Sequence, residues 1–275
     1  YGGHTKEMLK KLEGKGHLYG LDVDPIESVK TKERLRNQGF GEDIFTVRLQ
    51  NFADIEKVVE DTGRKLDFVL ADLGVSSMQI DDPSRGFSYK VDGPLDLRMN
   101  PKKGSSAAER LREVSEEELV GMLVENSDEP YAEEIAATVM KWQRKGKMIE
   151  TTTDMKHVIE EALVYVHKAE RAEAVKKSCQ RTFQALRIDV NSEFEVLYTF
   201  LDKLPQVLAP NGRVAILTFH SGEDRLVKRS FKELKKQGIY SEINEDVIRP
   251  SAEECARNPR AKSTKMRWAI RASEE

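Results

Sequence analysis

His17-Leu18-Tyr19-Gly20-Leu21-Asp22-Val23-Asp24-Pro25 is an apolar run ending in acids and a proline, the pattern of a buried strand stopped by a turn. Working outward, residues 5–12 predict a short helix before it and residues 25–37 a helix after it. A strand is expected at 44–49 and a helix at 53–62, followed by an apolar run at 66–71 that stops at Asp72-Leu73-Gly74. Strands that alternate with helices over the first 75 residues argue for a parallel sheet covered on both faces.

After a loop rich in Asp, Pro, Gly and Ser at 81–106 the texture changes, and residues 107–187 show helical periodicity with almost no strand signal. Ser115 with Glu118 forms a capping-box pattern ahead of Leu119, Met122 and Leu123, and Asp154 or a neighbouring Thr starts another helix. The α/β texture returns with an amphipathic helix at 192–208, a turn at Ala209-Pro210-Asn211-Gly212 and a core strand, Arg213-Val214-Ala215-Ile216-Leu217-Thr218-Phe219. A helix through Leu226, Phe231 and Leu234 and a last strand at 265–272 complete the chain. The expected organisation is therefore a core in two parts, 1–102 and 188–275, around an all-helical insert at 103–187.

The 275 residues, 39% hydrophobic, suffice for one sizeable core and a smaller second one. With 34% charged residues and a net charge of -3, the chain is not a uniformly basic nucleic-acid binder, so any RNA contact must be local. Cys179 and Cys255 stand far apart, indicating neither a disulfide framework nor a zinc site, and no metal is expected. The absence of a long apolar run or signal sequence points to a soluble, cytoplasmic protein without a membrane partner. The chain opens at Tyr1-Gly2-Gly3-His4-Thr5 without Met or a preceding strand, and the expectation is a fragment of a product longer by some tens of residues.

Four stretches could carry chemistry. Gly2-Gly3-His4 opens a helix, and Asp22 ends the next strand 20 residues after Gly2. Glycines allow close backbone approach to a nucleotide cofactor and an acid there accepts from ribose hydroxyls, although Asp22 or Asp24 could simply cap the following helix. Asp72 ends a second strand, where carboxyl ends converge on the ligand crevice of an open sheet; the alternative is a loop acid that caps a helix. Arg85-Gly86-Phe87-Ser88-Tyr89 and Gly93-Pro94-Leu95-Asp96-Leu97-Arg98-Met99 make an unusually dense loop, read as a wall or lid over that crevice. Thr218-Phe219-His220-Ser221 puts His220 at another strand end, as a catalytic or a structural histidine; with no G-x-S-x-G elbow, a hydrolase triad is discounted.

Basic residues are uneven. Residues 225–275 hold 13 Lys and Arg against 8 Asp and Glu, with a cluster around Arg257, Arg260, Lys262, Lys265 and Arg267. The insert adds Trp142 within Lys141, Arg144, Lys145 and Lys147, and a second group at Lys176, Lys177, Arg181 and Arg187. Such runs either track an RNA backbone, with Trp142 for stacking, or form solvated faces.

Taken together, these ordered motifs resemble the bacterial 16S ribosomal RNA cytosine-N4 methyltransferase (MraW) family over nearly the whole chain; Arg181 to Ile188, Val190-Asn191 and Asn258-Pro259-Arg260 match as well. The resemblance implies a class I S-adenosylmethionine methyltransferase, a Rossmann-like, mostly parallel α/β sheet with its first strand missing and a helical insert that recognises substrate. It implies Gly2, Gly3 and His4 at the methionine end of S-adenosyl-L-methionine, Asp22 at its ribose, Phe52 near its adenine, and Asp72 and Gln79 on the reacting side. Asp72 and His220 are the expected catalytic residues, and Arg85, Phe87, Tyr89, Arg98, Trp142, Arg181, Arg187 and Arg260 the expected contacts to RNA. The implied partner is 16S rRNA or the small ribosomal subunit, with a homodimer left open. Gly222 departs from the pattern, which commonly has Leu there, as does Asn126-Ser127-Asp128-Glu129, which replaces a Tyr-Gly-Glu-Glu type run. Two rivals stand beside this reading: a non-catalytic ribosome-assembly factor on the same fold, and a Rossmann dehydrogenase that would leave the insert and basic clusters unexplained.

Overall fold

The structure is a computed structural model and describes residues 2–273. The chain forms two compact units, one made of residues 2–74 and 194–273 and the other of residues 75–193. In chain order, the first unit begins with α1 (Gly3–Leu12), β1 (Leu18–Asp22), α2 (Pro25–Asn37), β2 (Phe45–Leu49), α3 (Glu56–Thr62) and β3 (Leu66–Asp72). The second unit carries α4 (Ser77–Asp81), α5 (Ala107–Glu113), α6 (Glu116–Ser127), α7 (Ala132–Arg144), α8 (Thr152–Ala162) and α9 (Lys168–Val190). The chain then continues through α10 (Glu193–Val207), β4 (Leu208–Thr218), α11 (Ser221–Lys236), β5 (Tyr240–Ile243), α12 (Ala252–Arg257) and β6 (Lys265–Arg271).

The α/β unit holds its strands in two sheets. β1 pairs with β2 in parallel, and the other sheet runs β3-β4-β6-β5, parallel between β3 and β4 and antiparallel at β4-β6 and β6-β5. The larger sheet buries Val69, Val214, Ile216 and Ala269 against Leu197, Phe200, Leu201, Leu204, Val227 and Phe231 of α10 and α11. α1 and α2 pack on the smaller sheet through Leu9, Leu18, Leu35 and Phe45. The expected turn at 209–212 is absorbed into β4: its register against β3 jumps from Leu66 opposite Leu208 to Phe68 opposite Arg213, with Asn211 in the left-handed region at φ 61°. The useful consequence of this register is at the other end, where Asp72 pairs with Leu217 and both strands stop together.

The helical unit is built on caps and one apolar core. The Ser115 hydroxyl accepts from Glu118 N and the Glu118 carboxylate accepts from Ser115 N, the reciprocal box that starts α6. Thr151 is the residue that caps α8, with Asp154 as its third-position partner. Leu123, Ile135, Val139, Val158, Ile159, Leu163 and Leu186 are fully buried in its centre. Each such side chain contributes roughly 1.5–3 kcal/mol relative to exposure, before chain entropy is counted. The expected insert, 103–187, lies inside this unit, which also takes in residues 75–102. Leu95 and Leu97, 1% exposed each, are part of the same core. Among the described residues no helix is long and apolar enough to cross a membrane.

Candidate functional site

The first site element is the mouth of α1. Gly2 precedes the helix at φ 81°, a left-handed conformation natural to glycine, and packs against Thr31 and Leu35 of α2. A Cβ on Gly3 would meet nothing within 4 Å, so the missing side chain leaves the helix entrance open. α1 has no side-chain cap and no acid in its first turn. Its first N–H groups and the positive end of its dipole are therefore available to an anion.

His4, in that first turn, reaches the end of β3: its Nδ1 lies 3.1 Å from Asp72 Oδ2, with the side chains 57% and 47% exposed. The hydrogen bond to Asp72 raises the imidazole pKa above its ordinary value; partial burial opposes this, and the charges of Asp72 and of Glu254 on α12 reinforce it. Gly2, Gly3, His4 and Asp72 thus form one cluster.

Asp22 and Asp24 divide the work between them. Asp24 is fully buried and caps α2, accepting from Ile26 N at 2.9 Å and Glu27 N at 3.3 Å. Asp22 uses only Oδ1, which accepts from Asp24 N at 2.9 Å; among the described residues Oδ2 has no hydrogen-bond partner. Burial pushes the Asp22 carboxyl pKa up. The Asp22 carbonyl accepts from Gln50 N at 2.8 Å, which ties the end of β1 to the segment entering Phe52. The Phe52 ring stands edge-on to Phe200 at 5.0 Å and packs, partly buried, on the larger sheet's core.

His220 follows β4 on the same side as Asp72, but its contacts are those of a cap. Nδ1 accepts from Glu223 N at 3.4 Å at the start of α11, the ring lies 5.8 Å from Phe194, and the side chain is 10% exposed. Its Nε2 sits 3.3 Å from Glu223 Oε1, and Glu223 Oε2 accepts from Phe219 N. Glu223 was not anticipated as part of this cap; the signal was its place three residues after His220, a capping-box spacing. Nor was Glu254 beside His4, 250 residues away in sequence, for which the sequence offers no local signal.

In the helical unit most of the expected RNA contacts have internal partners. Arg85 is 6% exposed and donates from one guanidinium nitrogen to the carbonyls of Arg98 and Met99, with Phe87 packed beneath it. That burial is at odds with a role for Arg85 as an RNA-facing cation. Arg98 grips Asp96 through two nitrogens at 2.8 and 2.7 Å and donates to the Gly104 carbonyl. Arg187 makes a similar two-point contact with Glu193. The Trp142 indole donates to Glu161 under the Lys147 ammonium, and Tyr89 stands edge-on to Phe183. Gln79 is buried, its carbonyl oxygen accepting from Ser76 N in the box that starts α4. Arg181 on α9 has no ion-pair partner among the described residues, and Arg260 is exposed in the turn before β6.

The dense loop at 85–99 belongs to this unit and is hydrogen-bonded into it. Leu95 N donates to Glu150 O, and Asn191 holds the Leu97 carbonyl and Met99 N at 2.8 Å each. Asn191 was matched in sequence but given no role, because a lone Asn at a helix end carries no partner information.

Comparison with known proteins extends the case over the whole chain. A ribosomal RNA small subunit methyltransferase H 1 of Lachnoclostridium phytofermentans is 68% identical over 272 residues, covering 99% of this chain and 74% of the relative. The protein of the same name from Agathobacter rectalis is 64% identical over 272 residues, covering 99% and 78%. A ribosomal RNA small subunit methyltransferase H of Clostridium botulinum is 38% identical over 282 residues, covering 97% and 88%. With the MraW methylase family model matching residues 1–272, the chain belongs to that family.

Proposed function

We propose that this protein transfers a methyl group from S-adenosyl-L-methionine to the exocyclic N4 of a cytidine in 16S ribosomal RNA. The observation that carries the reading is the pairing of His4 with Asp72 beside the uncapped mouth of α1, with a half-engaged Asp22 ending β1. The names of the relatives supply the class of substrate, small-subunit ribosomal RNA.

The donor groups present fit this cofactor. The first N–H groups of α1, without a side-chain cap among the described residues, suit the methionine carboxylate, Asp22 Oδ2 can accept from a ribose hydroxyl, and Phe52 offers an aromatic edge for adenine. When bound, the cofactor supplies an electrophilic methyl on a positively charged sulfur. Cytosine N4 is a weak nucleophile because its lone pair is conjugated into the ring, so the amine must be turned to aim that pair. Asp72 keeps Oδ1 for this, accepting an amine hydrogen while Oδ2 holds His4. The base has to leave its stack to arrive there.

The test uses the gene-encoded protein, small subunits that lack the modification and label in the donor methyl, followed by nucleoside analysis. N4-methylcytidine is the expected product. Cofactor binding without transfer would favour an RNA-binding assembly factor, and nicotinamide binding in place of S-adenosylmethionine a dehydrogenase.

A further inference from the structure

We propose that His4, held by Asp72, is the acceptor of the proton that N4 loses on methylation; the proposal rests on the function above. An ionised carboxylate oxygen can only accept, so the hydrogen in the 3.1 Å contact sits on His4 Nδ1. In the neutral imidazole this leaves Nε2 as a lone-pair acceptor, and among the described residues Nε2 has no partner. Asp72 therefore fixes ring and tautomer and stabilises the imidazolium once it forms. The two Asp72 oxygens divide the task, Oδ1 orienting the amine and Oδ2, 3.1 Å from Nδ1, orienting the base.

The step balances. The N4 lone pair forms the bond to the methyl carbon, the carbon–sulfur bond breaks with its pair staying on sulfur, and a proton on N4 passes to His4 Nε2. The imidazolium then releases it to water, which its 57% exposure permits. The charged groups that face His4 from other elements among the described residues are Asp72 on β3 and Glu254 on α12, both negative and both favouring the proton-loaded state. Since the base must start neutral, single-turnover transfer should rise with pH and level off above a pKa higher than that of ordinary imidazole.

His4→Asn is the informative variant, because its side-chain amide can still donate to Asp72 in place of Nδ1 while nothing replaces Nε2. Expected, with S-adenosylmethionine kept saturating, are a fall in single-turnover rate on the order of 10²-fold and loss of the acid limb. Added imidazole should restore part of the rate in His4→Ala. A readout independent of turnover is the His4 ring titration by NMR, which Asp72→Asn should shift downward. Wild-type rate or an unchanged acid limb in His4→Asn, or no shift in the ring titration, would overturn the dyad alone. Absence of methyl transfer by the wild-type protein would instead overturn the function, and this step with it.

Discussion

Asp22 and Asp24 stand two residues apart, and substituting them should give opposite readouts. Asp22→Asn keeps an oxygen for Asp24 N but replaces the free Oδ2 by a donor. A hydrogen bond to a charged group is worth roughly 1.5–3 kcal/mol, so S-adenosylmethionine should bind about 10- to 100-fold more weakly by calorimetry. Stability should move the other way. Burial raises the Asp22 pKa, so the folded state binds its proton more readily than the unfolded one, and stability falls as pH rises from the ordinary aspartate range through the raised value. At neutral pH the ionised group is a cost that asparagine removes, and the urea midpoint should hold or increase. Asp24→Ala deletes a buried cap that accepts from two backbone N–H groups, so unfolding stability should drop by about 1–2 kcal/mol. An Asp22→Asn protein that is less stable but binds the cofactor within twofold of wild type would show that Asp22 is a turn residue and refute the assignment.

Three further outcomes follow from packing and charge. Arg267 and Asp224 form an ion pair with side chains 7% and 11% exposed. Burial would raise the Asp224 pKa, but Arg267 and Lys265 outweigh it and hold the carboxyl below its usual range, so the pair stabilises above that range and is lost as pH falls through the lowered value. Arg267→Met should therefore cost about 3 kcal/mol in urea unfolding and move the acid-unfolding midpoint upward. A Cβ on Gly222 would lie 2.6 Å from the Phe194 ring, so Gly222→Leu should destabilise by about 1–3 kcal/mol. Phe194→Ala in the same chain should recover part of that loss, read as a coupling energy in a double-mutant cycle. Gly86→Ala sets a Cβ 2.2 Å from the Pro94 carbonyl at φ 73°, and the unfolding free energy should fall by about 3 kcal/mol.

Periodicity made the strands leading to Asp22 and Asp72 legible, because an apolar run cut off by an acid leaves a mark in any single sequence. The long helices declared themselves for the same reason: α2 begins and ends where the pattern 25–37 put it. β5 escaped because four residues with buried ends and an exposed middle are too few to establish a period. Of the candidate site, Gly2, Gly3, His4 and Asp72 come together as one cluster, yet nothing local in the sequence pairs His4 with Asp72, 68 positions apart. The partners of the arginines were hidden for a related physical reason. Composition reveals a cation but not its counter-group, and Arg85, Arg98 and Arg187 turned out to be committed to carbonyls and carboxylates within their own unit.

Gly86 and Gly93 admit no Cβ, since one there would fall 2.2 and 2.0 Å from the Pro94 and Pro83 carbonyls, and Leu95 and Leu97 are sealed under the helices that follow. Anyone wishing to transplant a relative's helices onto this core inherits that fact as a rule for splicing. A junction at residue 103 would strand two leucines on the wrong side of the seam and expose them to water, whereas junctions near 75 and 193 carry the loop across with the helices it was folded to fit.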